Sequence, residues 1–189
     1  PRPAPAKPSL LVLTPTRELA LQVTTATAQY GRHLRRIVCA SILGGMPYPK
    51  QLDMLARMPD IIIATPGRLL DHVQQRSVNL SQVRMLVLDE ADAMLDMGFI
   101  HDVKKVLARL PARRQNLLFS ATFSKDITDL AGKLLQDPER IEVTPPNTTV
   151  ERIEQRLFRI PANQKRALLA HLITLGAWEQ VLVFTRTKH

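Results

Sequence analysis

The sequence predicts an α/β fold in which helices cover both faces of a parallel sheet. Short apolar runs alternate with segments of helical periodicity along most of the 189 residues. Because strands and helices alternate, helical crossovers join the strands, which therefore run parallel. The strands are continuous apolar runs and do not alternate apolar with polar residues, which is typical of a sheet buried on both faces.

Six runs of aliphatic and β-branched residues are the predicted strands, and five stretches between them have helical spacing of apolar residues. The strands are residues 10–13, 37–42, 61–64, 85–88, 116–119 and 141–143. The helices are residues 18–34, 49–58, 68–75, 100–110 and 125–135. Thr16 and Arg17 open the first helix, and Thr65-Pro66-Gly67 opens the third in the same way.

The chain is predicted to contain one longer domain and part of another. Residues 1–136 form the first domain, and residues 137–150, which prolines and threonines interrupt, form an interdomain linker. Residues 151–189 add strands at 153–160 and 180–184 around a helix at 163–175, which is one βαβ unit. Only 39 residues follow Val150, fewer than the ~40 that a stable domain usually needs, so they are predicted to be the start of a second domain.

The charge balance favours a polyanionic partner. Twenty-six lysines and arginines against 17 acidic residues give a formal charge of +9, although many of these side chains could be the solvated faces of helices. Aromatic residues make up only 4%, too few for a surface that stacks unpaired bases. Contacts to a nucleic-acid backbone are therefore expected, with little sequence preference and strong salt dependence.

Several classes of protein are excluded. Cys39 is the single cysteine, which rules out a disulfide framework and a cysteine zinc cluster. The five histidines have no metal-ligand spacing. No stretch approaches the ~18 apolar residues of a membrane span, and the beginning of the sequence lacks the apolar core of a signal peptide, so the expected setting is the cytoplasm.

A pair of adjacent carboxylates follows the fourth strand, in the segment Asp89-Glu90-Ala91-Asp92. Many nucleotide hydrolases hold magnesium and a catalytic water with carboxylates at the end of a buried strand. The alternative is a strand end followed by a helix N-terminus, where acidic residues suit the helix dipole.

Four other blocks also lie where a strand ends, which in open parallel sheets is the ligand-binding edge. They are Pro15-Thr16-Arg17, Gly44-Gly45, Thr65-Pro66-Gly67-Arg68 and Ser120-Ala121-Thr122. A helix N-terminus with a hydroxyl and a guanidinium can bind a phosphate, and glycines permit close backbone approach. Taken singly, each block could be a capped helix or a tight turn.

The five blocks together, in this order, resemble the DEAD-box family of ATP-dependent RNA helicases. The segments Met97-Gly98-Phe99 and Phe119 to Ser124 are similar to its bacterial RhlE-like subgroup. The resemblance covers nearly the whole chain. It implies a RecA-like parallel sheet, with an incomplete first domain and the start of a second RecA-like domain.

The resemblance also implies ATP and Mg²⁺ as cofactors of the complete protein. It assigns Asp89 to the metal, through water, and Glu90 to the proton of the water that attacks the terminal phosphate. The coupling residues that would link the nucleotide state to domain closure are Asp92, Ser120, Ala121 and Thr122. For the two hydroxyl residues the alternative is a cap on the next helix.

RNA is the partner that the resemblance implies, bound through its backbone. The predicted RNA-binding residues are Pro15, Thr16, Arg17, Gly44, Gly45, Thr65, Pro66, Gly67, Arg68, Arg186 and Thr187. Ribosomal or RNA-decay proteins are candidate partners, and no membrane is expected.

The phosphate loop of such enzymes, G-x-x-x-x-G-K-[ST], does not occur in this sequence. We therefore expect an excerpt of an ATP-dependent helicase that does not hydrolyse ATP by itself, and a strand at 116–119 that lacks a neighbour. The alternatives are a non-hydrolytic module that binds RNA or a partner protein, and a DNA-directed helicase relative.

Overall fold

The structure is a computed structural model that describes residues 3–34, 36–143 and 154–185. It contains two compact units, Pro1–Asn147 and Thr148–His189, and each is described by itself below. The predicted limits of the two domains and of the linker stay predictions.

The first unit is built on a five-stranded parallel sheet. Its strands are β1 (Leu10–Leu13), β2 (Cys39–Ile42), β3 (Ile61–Ala64), β4 (Met85–Leu88) and β5 (Gln115–Leu118). Their order across the sheet is β2-β3-β1-β4-β5, and every pair is parallel. The predicted parallel α/β sheet is confirmed.

Six helices connect or follow these strands. They are α1 (Arg17–Gly31), α2 (Tyr48–Ala56), α3 (Pro66–Gln74), α4 (Ala91–Asp96), α5 (Ile100–Leu107) and α6 (Lys125–Leu134). Five match the predicted helices to within three residues at each end. The short α4 was not predicted as a separate helix.

Two apolar clusters lie on opposite faces of the sheet. Alternate residues of β1 belong to different clusters: Leu11 and Leu13 pack in a cluster that includes residues of α2 to α6, whereas Val12 packs with Ala20 of α1. Since side chains of a strand alternate between the two faces, helices cover both of them, as the continuous apolar strands predicted.

The strands end at the same level. The last residues of the five strands are register partners of one another, from Ile42 through Ala64, Leu13 and Leu88 to Leu118. Just beyond them, four backbone hydrogen bonds cross the sheet. They are Thr65 N to Ile42 O (3.1 Å), Thr14 N to Ala64 O (3.0 Å), Asp89 N to Leu13 O (3.0 Å) and Phe119 N to Leu88 O (2.9 Å). We call this row the terminal rung.

The strand β5 lies at one edge of the sheet. It pairs with β4, and no strand in the described ranges pairs with its other side. The expectation that this strand lacks a neighbour is therefore met on one side only. None of its four residues is fully buried, and Phe119 directly after it is 52% exposed.

Two predicted features are wrong. Residues 141–143 do not form a strand; Ile141 and Val143 are largely exposed, so they have no sheet to join. In the second unit, α7 (Lys165–Leu175) confirms the helix predicted at 163–175, and a 3₁₀ turn at Ala162–Gln164 precedes it. The described residues of the two flanking strands, 154–160 and 180–184, are irregular, because a strand needs a hydrogen-bonded neighbour and two short strands are rarely stable alone.

No helix in the described part of the chain has the length and hydropathy required to cross a bilayer.

Candidate functional site

The predicted site residues of the first unit lie along one edge of the sheet, directly above the terminal rung. Following the strand order, Gly44-Gly45 comes after β2, Thr65 after β3, Thr16 after β1, Asp89 after β4 and Ser120 after β5. The three blocks assigned to RNA are therefore neighbours in space, and the block with the catalytic carboxylates and the coupling block Ser120-Ala121-Thr122 are neighbours beside them.

Asp89 and Glu90 form a tight turn between β4 and α4. Asp89 Oδ1 accepts a hydrogen bond from the Glu90 N–H at 3.1 Å. Glu90 is the N-terminal cap residue of α4 and has φ 51° and ψ 55°, in the left-handed region. This conformation costs a non-glycine residue roughly 1 to 3 kcal/mol. It places two carboxylates, both half-buried, at the edge of the sheet.

Asp92 is fixed from two sides. Its Oδ1 accepts from the Ala93 N–H at 3.0 Å, and its Oδ2 accepts from the Thr122 hydroxyl at 3.1 Å. The second bond joins the loop after β4 to the loop after β5. The coupling role of these residues stays a prediction.

The loop Ser120-Ala121-Thr122 is exposed apart from Ser120. The Ser120 hydroxyl donates to the Thr122 carbonyl at 2.8 Å. The following helix, α6, is capped by Ser124, whose Oγ accepts from the Ile127 N–H. The alternative in which the Ser120 and Thr122 hydroxyls cap this helix is therefore wrong.

Thr16 and Arg17 begin α1 as predicted. The Thr16 hydroxyl accepts from the Leu19 N–H at 3.3 Å and so caps the helix, while Pro15 before it is buried. Arg17 is exposed and lies over Gly45: a Cβ added to that glycine would be 3.2 Å from the Arg17 Nη1. Gly45 has φ 75°, so it supplies both the turn and the space for the guanidinium.

The loop before α3 is tied to the glycine loop. Thr65 makes no side-chain cap on α3; its hydroxyl accepts from the Gly44 N–H at 3.1 Å. Pro66 is the first residue of the helix and Gly67 is exposed. Arg68 Nη1 donates to the Met46 carbonyl at 3.0 Å. The Gly44 N–H and one Arg68 N–H are thus already used within the protein.

Two buried polar residues beneath these loops were not identified from the sequence. Gln51 and His72 are both fully buried, and the His72 Nε2 lies 3.1 Å from the Gln51 Oε1. Burial lowers the pKa of His72; the Asp71 carboxylate opposes this shift and the Arg68 guanidinium adds to it. Gln51 and His72 occupy inward positions of helices whose other inward residues are apolar, and this is the one signal that could have revealed them.

The carboxylates at the end of β4 could bind magnesium only together with other ligands. Mg²⁺ is usually held by one or two carboxylates together with water and substrate phosphates. Asp89 can supply one such ligand. Within the described ranges, no group of three or more histidine, cysteine, aspartate or glutamate side chains could hold a metal ion by itself. Asp89 can thus supply one carboxylate of the set of ligands that Mg²⁺ usually has.

Comparison with known proteins identifies the family. A family model described as DEAD/DEAH box helicase matches residues 3–130. The chain belongs to this family. Relatives of the chain support the assignment: RhlB of Pseudomonas putida, an ATP-dependent RNA helicase, is 43% identical over an alignment of 185 residues that covers 96% of this chain and 46% of that protein.

Two further relatives of this chain have other names. RhpA of Helicobacter pylori, a DEAD-box ATP-dependent RNA helicase, is 41% identical over 94% of the chain and 36% of its own length. DeaD of Escherichia coli, an ATP-dependent RNA helicase, is 37% identical over 96% of this chain and 29% of its own length. The chain thus spans less than half the length of these relatives. Because their names differ, the RhlE-like subgroup stays a prediction.

Solved structures give the same family and confirm the RecA-like fold. A hypothetical ATP-dependent RNA helicase from Sulfolobus tokodaii superposes with a TM-score of 0.66 at 40% identity, over 70% of this chain and 39% of that chain. The yeast DEAD-box splicing factor Prp28 superposes with a TM-score of 0.64 at 34% identity, over 68% of this chain and 31% of that chain. Arg186 and Thr187, predicted to bind RNA, lie outside the described residues.

Proposed function

We propose that the full protein containing this chain is an ATP-dependent RNA helicase, which couples ATP binding and hydrolysis to local opening of RNA duplexes or to remodelling of RNA–protein complexes. Family membership and relatives named as ATP-dependent RNA helicases support this proposal. The proposed setting is the cytoplasm, and ribosomal or RNA-decay proteins are the proposed partners.

The observation that carries the proposal is the division of one sheet edge between two ligands. The loops after β2, β3 and β1 carry guanidinium groups, helix N-termini and glycines, which suit phosphate groups. The loops after β4 and β5 carry carboxylates and hydroxyls. Arg17 and Asp89 follow adjacent strands, so RNA and nucleotide would bind side by side.

In the nucleotide half, Asp89 would hold Mg²⁺ through water and Glu90 would accept the proton of the attacking water. Bound Mg²⁺ would neutralise charge that develops on the phosphates during transfer. The Asp89–Glu90 turn fixes the two carboxylates relative to the sheet. Asp92 and Thr122, which share a hydrogen bond, would report the state of this half to the rest of the protein.

In the RNA half, binding would follow the phosphate backbone. Arg17 is exposed, and the Arg68 guanidinium retains N–H groups beyond the one used by the Met46 carbonyl. The first turns of α1 and α3 add backbone N–H groups that lack helical partners. Backbone contacts give affinity with little base preference.

Salt-dependent RNA binding tests the proposed track. We expect Arg17→Ala and Arg68→Ala in the full-length protein each to weaken RNA binding and to reduce the slope of log affinity against log salt by ~1 for each phosphate that the variant no longer binds. Arg109→Ala removes the same charge from an exposed position after α5 and is the control. RNA binding that is equal in all three variants and the parent would disprove the track.

A further inference from the structure

A buried hydrogen-bonded pair lies under the RNA half of the edge. Gln51 of α2 and His72 of α3 are each 0% exposed, and their side chains meet at 3.1 Å. We call them the Gln51–His72 bridge. Burying two polar side chains costs free energy unless their hydrogen bonds are made, and here they are made.

The other hydrogen-bond partners of Gln51 fix the direction of its bond to His72. The Gln51 Nε2 donates to the carbonyls of Leu43 at 3.0 Å and Met46 at 3.1 Å. Its Oε1 therefore faces His72 as an acceptor, and the His72 Nε2 must carry a proton and donate. On the other side of the ring, the His72 Nδ1 lies 2.8 Å from the Ser77 hydroxyl.

The Gln51–His72 bridge is hydrogen-bonded to the glycine loop. Leu43 and Met46 flank Gly44-Gly45, so the Gln51 amide binds the carbonyl on each side of that pair. The Met46 carbonyl also accepts from Arg68, one helical turn before His72. The glycine loop and the Arg68 side chain are thus connected to one another through the bridge.

Aromatic stacking completes the connection. The Tyr48 ring stacks on the His72 ring, with centroids 4.4 Å apart and planes 6° apart. The Arg68 guanidinium carbon lies 5.7 Å from the centroid of the same tyrosine ring, within the range of a cation–π contact. The orientation of His72 therefore influences the Arg68 head group by two routes, through Tyr48 and through Gln51 with the Met46 carbonyl.

We propose that Gln51 and His72 are positioning residues for RNA, which hold the Gly44–Met46 loop and the Arg68 guanidinium at the spacing that the phosphate backbone requires. This inference rests on the proposed RNA track. Apolar side chains would be enough to pack α2 against α3, but they would not orient a loop carbonyl. A buried polar pair with all its partners specifies one arrangement.

The test uses isosteric changes in the full-length protein. Gln51→Met keeps the side-chain length and removes every hydrogen bond of the amide. His72→Asn keeps a polar group near the Nδ1 position and loses the bond to Gln51, whereas His72→Gln places an amide N–H near the Nε2 position and can restore it. Gln74→Met and His101→Asn, at exposed positions of α3 and α5, are the matched controls.

RNA-stimulated ATP hydrolysis separates positioning from folding. We expect Gln51→Met and His72→Asn to raise the RNA concentration for half-maximal stimulation roughly tenfold. kcat at saturating RNA and the KM for ATP should stay within about twofold. His72→Gln and the two controls should behave as the parent. A merely structural role would lower the folded fraction, and so kcat, without changing the RNA requirement.

Two outcomes would overturn the inference, and both can be told from failure of the RNA track. If Gln51→Met and His72→Asn need the same RNA concentration as the parent while Arg17→Ala and Arg68→Ala need more, only the positioning role is wrong. If His72→Gln needs as much RNA for half-maximal stimulation as His72→Asn, the hydrogen bond to Gln51 does not position the RNA-binding residues. If the arginine variants are also unchanged, the track itself is wrong.

Discussion

Asp92 and Thr122 are 30 positions apart in sequence and share one hydrogen bond, which is the direct side-chain link between the loops after β4 and β5 that the structure shows. Asp92 is half-buried and also accepts from the Ala93 N–H, so its carboxylate has little freedom to rotate. The bond therefore connects the loop after β4 directly to the Ser120–Thr122 loop.

A double-mutant cycle measures this link. We expect Asp92→Ala and Thr122→Val each to lower the kcat of RNA-stimulated ATP hydrolysis by the full-length protein, with a coupling energy of about 0.5 to 1.5 kcal/mol. Thr128→Val is the control, because that hydroxyl donates only to the Ser124 carbonyl before its own helix. Additive effects of the two substitutions would show that the bond carries no coupling.

The pH dependence of stability follows from His72. Burial lowers its pKa below the ordinary 6.5, so below that pH the unfolded chain gains a proton that the folded protein does not. The free energy of unfolding should therefore fall as the pH drops from about 6.5 toward the folded pKa, and be unaffected by His72 above that range. His72→Gln lacks this proton and should show a smaller loss in urea unfolding between about pH 7.5 and about pH 5.5. Equal losses in both proteins would contradict this.

The sequence predicted some of these residues and missed others for clear reasons. Asp89 and Thr65 could be placed at the sheet edge because each directly follows an apolar run, and Thr16 could be placed there because it follows the run 10–13 after two residues. Gln51 and His72 were missed, since a polar residue on an amphipathic helix is usually exposed, even though both stand at helical spacing from apolar inward residues. Their burial depends on packing between α2 and α3, which local sequence does not determine.

Helices α4 and α5 meet at Gly98, and α6 contains a second glycine with a different role. Gly98 has φ 80°, so it allows the turn between the two helices. Gly132 lies inside α6, is exposed, and has nothing within 4 Å of an added Cβ. The backbone conformation therefore favours glycine at position 98, whereas position 132 can accept another residue.

Alanine substitution distinguishes the two glycines. Gly132→Ala should raise the free energy of unfolding by about 0.5 to 1 kcal/mol, because alanine favours the helix. Gly98→Ala should lower it by about 1 to 2 kcal/mol, because φ there is positive. Urea unfolding of the full-length protein checks both, and a gain in stability from Gly98→Ala would refute the interpretation of that turn.

Strands and helices of the first unit were predictable because apolar runs and helical spacing coincide with turn residues there. Helix α4 was missed because its six residues are too few to show a period. Residues 141–143 and the flanks of α7 have strand composition but no strand in the described residues. Strand formation depends on a neighbour, and composition does not supply one.

The chain carries part of the machinery that the proposed function requires. It spans 46% of RhlB of Pseudomonas putida, and its sequence contains no G-x-x-x-x-G-K-[ST] phosphate loop. In phosphoryl transfer, that loop and its lysine hold the nucleotide phosphates in place. Asp89 and Glu90 would therefore face a nucleotide whose phosphates are not held by a phosphate loop of this sequence.

ATP hydrolysis by the two forms of the protein tests this division. We expect no RNA-stimulated hydrolysis from the 189-residue polypeptide, and activity from the full-length protein that Glu90→Gln abolishes by removing the base. Asp96→Asn, at an exposed carboxylate at the end of α4, should leave the full-length activity unchanged. Hydrolysis by the short polypeptide that disappears with Glu90→Gln would disprove the expectation.

The terminal rung joins all five strands of the sheet at the edge that carries the site. Its four hydrogen bonds run without a break from β2 to β5, so the strand before the glycine loop is connected through the sheet to the strand before Asp89. Neither half of the edge can slide past the other unless the rung itself breaks. In the proposed helicase, a nucleotide-driven change in the first unit would therefore involve the side chains and loops beyond the rung, and the paired strands would stay in register.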